Sequence, residues 1–368
     1  MHMKNILGIA LLSASLVPAG QAAPFLAIGD SAELFITGAL AIRADDNVFL
    51  DQSGTDDVIF DVTPGFDLTY GKDAQVSGSV TAGVAFSNYS DNSNLNTTLF
   101  SSSFISRFDD GKMKLGFNIG FNELNQNSPD IRGLTRRDAF STGGNAEVQI
   151  SQKTSVGAGL SFSHDNYKRA SYTDSDALTV PVNFYYELTP KLDLSVGYRF
   201  KDYQVDIGPD SVDNHFQVGA RGEFSPKLTG NFGVGLGVRE LSPGGNKNLL
   251  SLDASFAYEL TPKTRMQLGA SNDFGTTPQG QQQENFSLNA SLVNNLTEEW
   301  SVNGGLSYRA TDYGSRVDDY WEANLGAAYI VNASVRVVGA YVFRNYVSVL
   351  SSSEFSNNVF SVAANLRY

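Results

Sequence analysis

The sequence predicts an all-β fold: a single transmembrane, antiparallel, up-and-down β-barrel of about eighteen strands, with sixteen as the alternative count. Three observations carry this. Apolar residues recur at every second position, tight-turn sequences return every 34 to 41 residues, and the chain ends on an alternating apolar strand that finishes with Tyr368. Composition agrees. With 24 Phe, 16 Tyr and 35 Gly, and only 18% charged residues, the chain favours strands and turns over helices. The absence of cysteine excludes disulfides, thiol catalysis and cysteine-based metal sites. Three histidines leave little material for a zinc or iron centre, and a net charge of −13 argues against nucleic-acid binding.

The first 22 residues read as a secretory signal peptide. Lys4 supplies the positive start, Ile6 to Val17 the apolar run, Pro18 the break, and Gly20-Gln21-Ala22 the small residues for cleavage after Ala22. That run is too short for a membrane-spanning helix, which needs roughly 20 residues. Residues 23–368 then form one barrel domain.

The strands are counted by their turns. Tyr185-Tyr186-Glu187-Leu188-Thr189-Pro190-Lys191-Leu192 returns as Gly222-Glu223-Phe224-Ser225-Pro226-Lys227-Leu228 and as Tyr258-Glu259-Leu260-Thr261-Pro262-Lys263. Weaker copies surround Lys153 and Glu299, and ordinary turn sequences surround Lys72, Lys112 and Ala333. Between turns the period is two: Leu192, Leu194, Val196, Tyr198 and Phe200 oppose Asp193, Ser195, Gly197, Arg199 and Lys201. Leu250, Leu252, Ala254, Phe256, Tyr258 and Leu260 repeat the pattern. Longer polar connections lie midway, at 44–56, 91–96, 125–137, 168–176, 206–212, 241–247, 275–283, 313–318 and 348–357. Tilted strands of about 9–11 residues cross a bilayer, so the chain length accommodates eighteen of them.

Short turns at one end and longer loops at the other is the asymmetry of a bacterial outer-membrane barrel, with both termini on the periplasmic side. The last strand, Phe360 to Tyr368, has the alternation and terminal aromatic of a barrel-assembly signal. If the apolar face meets lipid, the polar face lines a lumen of small residues such as Ser77, Ser79, Thr81 and Gly83, or Asn231, Gly233, Gly235 and Gly237. Such a lumen is expected to be wide, narrowed at most by inward folding of 125–137 with Arg132, Arg136 and Arg137.

A second repeat marks the loop ends of ascending strands. Gly197-Tyr198-Arg199-Phe200-Lys201-Asp202-Tyr203 matches Ser307-Tyr308-Arg309-Ala310-Thr311-Asp312-Tyr313, with looser relatives at Arg43, Arg239 and Arg344. Five inward arginines at similar height, with Tyr203 and Tyr313, would form a basic arc suited to carboxylate or phosphate groups and to sugar rings. The competing expectation is that they pair with lumen acids such as Asp193, Asp253, Glu187 or Glu259 and brace the wall. Acidic residues concentrate in the loops, at Asp45, Asp46, Asp51, Asp56, Asp57, Asp318 and Asp319, where they are solvated or bridge to lipopolysaccharide through divalent cations.

Ser163-His164-Asp165 is contiguous, and a catalytic triad needs convergence from separate positions. His164 falls in register with outward residues. Gly233-Val234-Gly235-Leu236-Gly237 precedes no helix and is no nucleotide loop. No catalytic, cofactor-binding or metal-ligating set is expected, and the chain does not read as an enzyme.

Asp45-Asp46-Asn47-Val48-Phe49-Leu50, followed by Asp57-Val58-Ile59-Phe60-Asp61-Val62-Thr63-Pro64-Gly65-Phe66, resembles the opening of a β-barrel porin family linked to exopolysaccharide gene clusters. The specific match is confined to residues 45–66, while the strand layout is similar across the whole chain. The resemblance implies an outer-membrane channel assisting export of an exopolysaccharide, expected here to be anionic. It carries no catalytic residues. The alternatives are a general diffusion porin and a structural or adhesive barrel without transport. Expected partners are outer-membrane lipids and lipopolysaccharide, the barrel-assembly machinery through Tyr368, periplasmic polysaccharide-export proteins, and the polysaccharide itself.

Overall fold

The computed structural model describes residues 22–126, 134–350 and 353–368. Apart from Ala22, the signal peptide read from the sequence lies outside them. A three-residue strand, β1 (Leu26–Ile28), precedes eighteen long ones. These begin with β2 (Ala32–Asp45), β3 (Asp57–Tyr70), β4 (Val76–Tyr89), β5 (Thr97–Asp109), β6 (Met113–Gln126) and β7 (Thr135–Ser151). They continue as β8 (Thr154–Tyr167), β9 (Ser175–Thr189), β10 (Leu192–Val205), β11 (Asp210–Ser225), β12 (Leu228–Ser242) and β13 (Asn246–Thr261). The series closes with β14 (Thr264–Thr276), β15 (Gln282–Asn295), β16 (Trp300–Asp312), β17 (Val317–Ile330), β18 (Val335–Val347) and β19 (Phe355–Arg367).

Each strand from β2 to β18 pairs antiparallel with its successor. The last strand, β19, returns to β2 from Val359↔Asp45 to Arg367↔Thr37. The result is a closed eighteen-strand antiparallel barrel, as the turn count predicted. Closure gives every wall strand two partners, which removes the edges that an open sheet would leave. At the seam, Tyr368 and Ile36 exchange both backbone hydrogen bonds, at 2.6 and 2.9 Å. β2 runs on beyond the end of β19, and there β1 takes up the pairing at Leu34, Glu33 and Ala32. This extra strand was not legible as such, because three residues are too few to show alternation.

The eight short turns fall where the sequence placed them, and the Thr/Ser-Pro-Lys motif has a physical origin. Thr189, Thr261 and Ser151 each accept, through the side-chain oxygen, from the backbone N–H two residues on, that of Lys191, Lys263 and Lys153. Successive turns also interlock. The N–H of Glu187 donates to the Lys153 carbonyl, Glu223 to Lys191, and Glu259 to Lys227, at 2.7–2.9 Å. A constant 36-residue spacing of Lys191, Lys227 and Lys263 keeps this contact in register from hairpin to hairpin. In the Asp110 turn the N–H groups of Met113 and Lys112 hold the carboxyl below its ordinary range.

The outer face is apolar: Leu40, Val196, Leu250, Leu325 and Phe360 are each at least 60% exposed. Outward aromatic pairs include Trp300–Tyr329 and Tyr308–Trp321, in which Trp300, Tyr329 and Trp321 are exposed. The strands run longer than expected and the loops are correspondingly shorter, because paired strands satisfy their own backbone well past the apolar band. The predicted loop 241–247 contracts to 243–245, and Arg136 and Arg137 belong to β7.

The face assignment is tested by two neighbouring substitutions. Val196→Arg is expected to destabilise the barrel by ~2–4 kcal/mol in lipid vesicles. Ser195→Arg, on the lumen side, should stay within about 0.5 kcal/mol. Urea titration of the folded barrel reads both, and equal costs would reverse or abolish the assignment.

Candidate functional site

Period-two geometry sends Arg43, Arg199, Arg239, Arg309 and Arg344 into the lumen together with Tyr203. Tyr313 lies in the β16–β17 connection, with the Arg316 guanidinium 4.1 Å above its ring. The arginines do not form one arc. Arg199 and Arg239 belong to a cluster on β10–β15, while Arg43, Arg309 and Arg344 belong to another on β16–β19, β2 and β3. Their acidic partners are not the four that the sequence suggested. Arg43 forks onto Asp61 at 2.6 and 3.1 Å, Arg199 reaches Asp273 at 3.0 Å, and Arg344 donates to Glu322 at 3.1 Å and Asn357 at 3.0 Å. Arg309 sits 5.8 Å over the Tyr320 ring. Asp193 pairs with Arg221, which also forks onto Glu147 at 2.6 and 2.8 Å and stacks 3.4 Å over Tyr185.

The first cluster centres on Arg239. Both it and Asp213, its cross-strand neighbour on β11, are 1% exposed or less, and they share a bidentate pair with both bonds at 2.6 Å. Arg239 also donates to the Gly275 carbonyl at 2.8 Å and the Gln282 side chain at 2.6 Å. His215 lies between Ser251 at 3.0 Å and Asp273 at 3.4 Å. The bonds to Asp273, Gly275 and Gln282 exist because the tip of the β14–β15 hairpin leaves the wall. The β13–β14 ladder stops at Leu252↔Asn272, and the β15–β16 ladder starts only at Glu284↔Asp312. Between those points the tip leans into the lumen over β10–β13, and Phe274 lies 4.7 Å from the Arg239 guanidinium. Beyond it, the Pro278 carbonyl accepts from Thr173 N–H at 2.8 Å, and Gln282 reaches the Pro209 carbonyl at 3.4 Å.

The second cluster contains the Asp-Asp-Asn-Val-Phe-Leu segment. Asn357, fully buried on β19, donates to Asp45 at 2.6 Å and to Asp46 at 3.3 Å. Asn47 in turn donates to the Asp51 and Ser356 carbonyls. Leu50, at a φ of 50°, packs with Tyr320, Tyr346 and Phe355. Asp318 accepts from Tyr346 at 2.8 Å and Ser348 at 2.6 Å beneath this cover. The motif is thus a clasp joining the first and last wall strands at the loop end.

The wide lumen expected from small side chains is therefore occupied at its loop end. Among the described residues the narrowing comes from the 273–283 tip and the 46–56 loop, while most of the 125–137 segment, residues 127–133, lies outside them. Of that segment's arginines, Arg132 lies outside the described residues and Arg136 faces outward, 3.9 Å from Glu123. Arg137 meets Asp165 at 3.2 Å and Tyr167 at 3.1 Å inside the lumen. Alternation also separates Ser163-His164-Asp165: His164 points outward to Asp176 at 2.8 Å, away from its neighbours. Among the described residues no group of three or more His, Asp or Glu is gathered for a metal ion.

Arg239→Ala leaves the Asp213 carboxylate buried without its partner, a change expected to cost ~3–5 kcal/mol. In a double-mutant cycle with Asp213→Ala the losses should be clearly less than additive. Additive unfolding free energies would mean the pair is not coupled.

Residues 24–368 match the family described as "Putative beta-barrel porin 2". No curated protein matches the chain. Among solved structures, OccK2 (OpdF) from Pseudomonas aeruginosa is similar at a TM-score of 0.50 and 9% identity, covering 91% of this chain and 98% of that one. A BenF-like porin from Pseudomonas fluorescens Pf-5 has a TM-score of 0.50 and 9% identity, with 92% and 99% covered. OpdK from Pseudomonas aeruginosa has a TM-score of 0.48 and 11% identity, with 91% and 99% covered. At these identities the likeness is one of fold. With its whole barrel inside the family match, the chain belongs to the β-barrel porin 2 family, a family of outer-membrane porins.

Proposed function

We propose that this porin passes an anionic saccharide polymer outward across the outer membrane. The observation that carries the reading is the character of the lumen wall. Its inward faces are rich in hydroxyl and amide groups, such as Ser77, Ser79, Thr81, Ser101 and Ser103 on β4 and β5, where Thr81 and Ser103 bond each other at 2.7 Å. Asn289, Ser287, Asn303 and Ser307 continue the pattern on β15 and β16. A neutral polar wall exchanges hydrogen bonds with saccharide hydroxyls without holding them tightly, which suits conduction through many weak sites. Many of the charged lumen groups are tied to opposite charges, and Arg309 stands over the Tyr320 ring at the loop end.

In this reading the short-turn end and both termini are periplasmic, and the polymer arrives there from periplasmic export proteins. Tyr368 serves the assembly machinery, and lipopolysaccharide surrounds the loop end. A general diffusion porin is the second reading, and one observation favours it: the inward hairpin tip supplies a constriction. Deleting the gene discriminates between them. Loss of cell-surface polysaccharide with unchanged small-solute uptake supports export; the converse supports diffusion. Arg309→Glu should lower anion over cation preference in planar-bilayer recordings, and unaltered selectivity would return Arg309 to a bracing role.

A further inference from the structure

The β14–β15 tip is built unlike the wall around it. Its β14 arm leaves β13 after Asn272, its β15 arm stays joined to β16 from Glu284 onward, and from Gly275↔Gln283 to Thr276↔Gln282 it pairs only with itself. Its attachment to the rest of the barrel is a small set of polar contacts. Asp273 meets Arg199 at 3.0 Å and His215 at 3.4 Å, while the Gly275 carbonyl and Gln282 receive Arg239 at 2.8 and 2.6 Å. Gln282 donates to the Pro209 carbonyl at 3.4 Å, and Pro278 accepts from Thr173 at 2.8 Å. The apolar contribution is Phe274, buried over Arg239 and edge-on to the His215 ring at 6.0 Å, together with the close approach of Gly280 to Gly208. The platform beneath does not need the tip. Arg239 and Asp213 face each other on adjacent wall strands and keep their bidentate pair, and the His215 ring keeps Ser251. At the point of departure, the Asn272 side chain donates to the Leu250 carbonyl at 2.7 Å and fixes a hinge on β13.

We propose that residues 273–283 are a gate. The tip turns about Asn272 and Glu284 as a self-paired unit, and in the position described it is latched across the lumen face of β10–β13. Release breaks polar contacts that water can replace, uncovers the single Phe274 ring and breaks no ladder of the wall, so two positions of one hairpin are compatible with an intact barrel. The inference rests on the chain conducting as a channel, and not on which solute passes.

The chain has no cysteine, so a single engineered disulfide is unambiguous. Thr173→Cys with Pro278→Cys joins positions whose backbones are already hydrogen bonded. In planar bilayers with potassium chloride, the oxidised protein should lose its larger conductance steps and regain them on reduction. A second variant replaces residues 274–283 by an Asn-Gly turn and should remain open throughout. If the tip-deleted barrel conducts and the oxidised lock conducts equally well, the gate is overturned while the channel stands. If the tip-deleted barrel is silent, the channel reading fails and the gate with it.

Discussion

Everything in this barrel depends on one requirement: a wall facing lipid must satisfy each backbone N–H and C=O without water. That requirement forces closure, and closure converges on the seam between β19 and β2. The terminal Tyr368 is bonded through its backbone to Ile36, and its ring stands 6.4 Å from Phe25, which precedes β1. β1 then covers the part of β2 that β19 does not reach. At the loop end side chains reinforce the backbone bond from Asp46 N–H to the Asn358 carbonyl, where Asn357 donates to both Asp45 and Asp46. Both ends of the weakest junction in a closed sheet, the one made by chain termini, are thereby reinforced.

Closure also decides where a packed core can exist. The outer face is committed to lipid and cannot pack against another layer of the same chain, so tight packing is available only inside. The most buried side chains, Arg239, Asp213, His215 and Asn357, are accordingly lumen residues, and most are polar. Burying such groups is tolerable because they are paired with one another, Asp213 through both carboxylate oxygens. Arg239 alone satisfies a carboxylate, a carbonyl and an amide. A core of this kind specifies geometry more than it adds net stability, since the pairing energy is largely offset by desolvation.

The parts of the fold legible in the sequence are those set by local rules. Alternation assigns each residue a face, and the Thr/Ser-Pro-Lys turns count hairpins because the hydroxyl and the proline act within four residues. The interlocking of successive turns even explains the regular period. The site was legible only halfway. Period two says that Arg199 and Asp273 face inward, but not that they meet, since they lie on strands four apart and approach only where β14 departs from the wall. Nothing local in Thr276 to Gln282 distinguishes an inward tip from an ordinary surface loop. Its inward lean is fixed by distant partners, Thr173 and Pro209 among them. Two of the actual partner acids lie directly opposite their arginines across a ladder, Asp213 facing Arg239 and Glu322 facing Arg344, which depends on the register between strands and not on alternation within one.

The segment that carries the family resemblance supports a similar argument. Asp45 to Leu50 reads as a polar loop, yet Asn47, Val48 and Leu50 are among the most buried residues of the chain. A motif of this type is retained by the demands of closing a barrel and covering Tyr320 and Tyr346, whatever passes through the lumen. It therefore identifies the architecture better than the cargo. Discrimination among solutes has to reside in groups that the clasp leaves facing the conduit, on the hydroxyl- and amide-rich inward faces of β4, β5, β15 and β16.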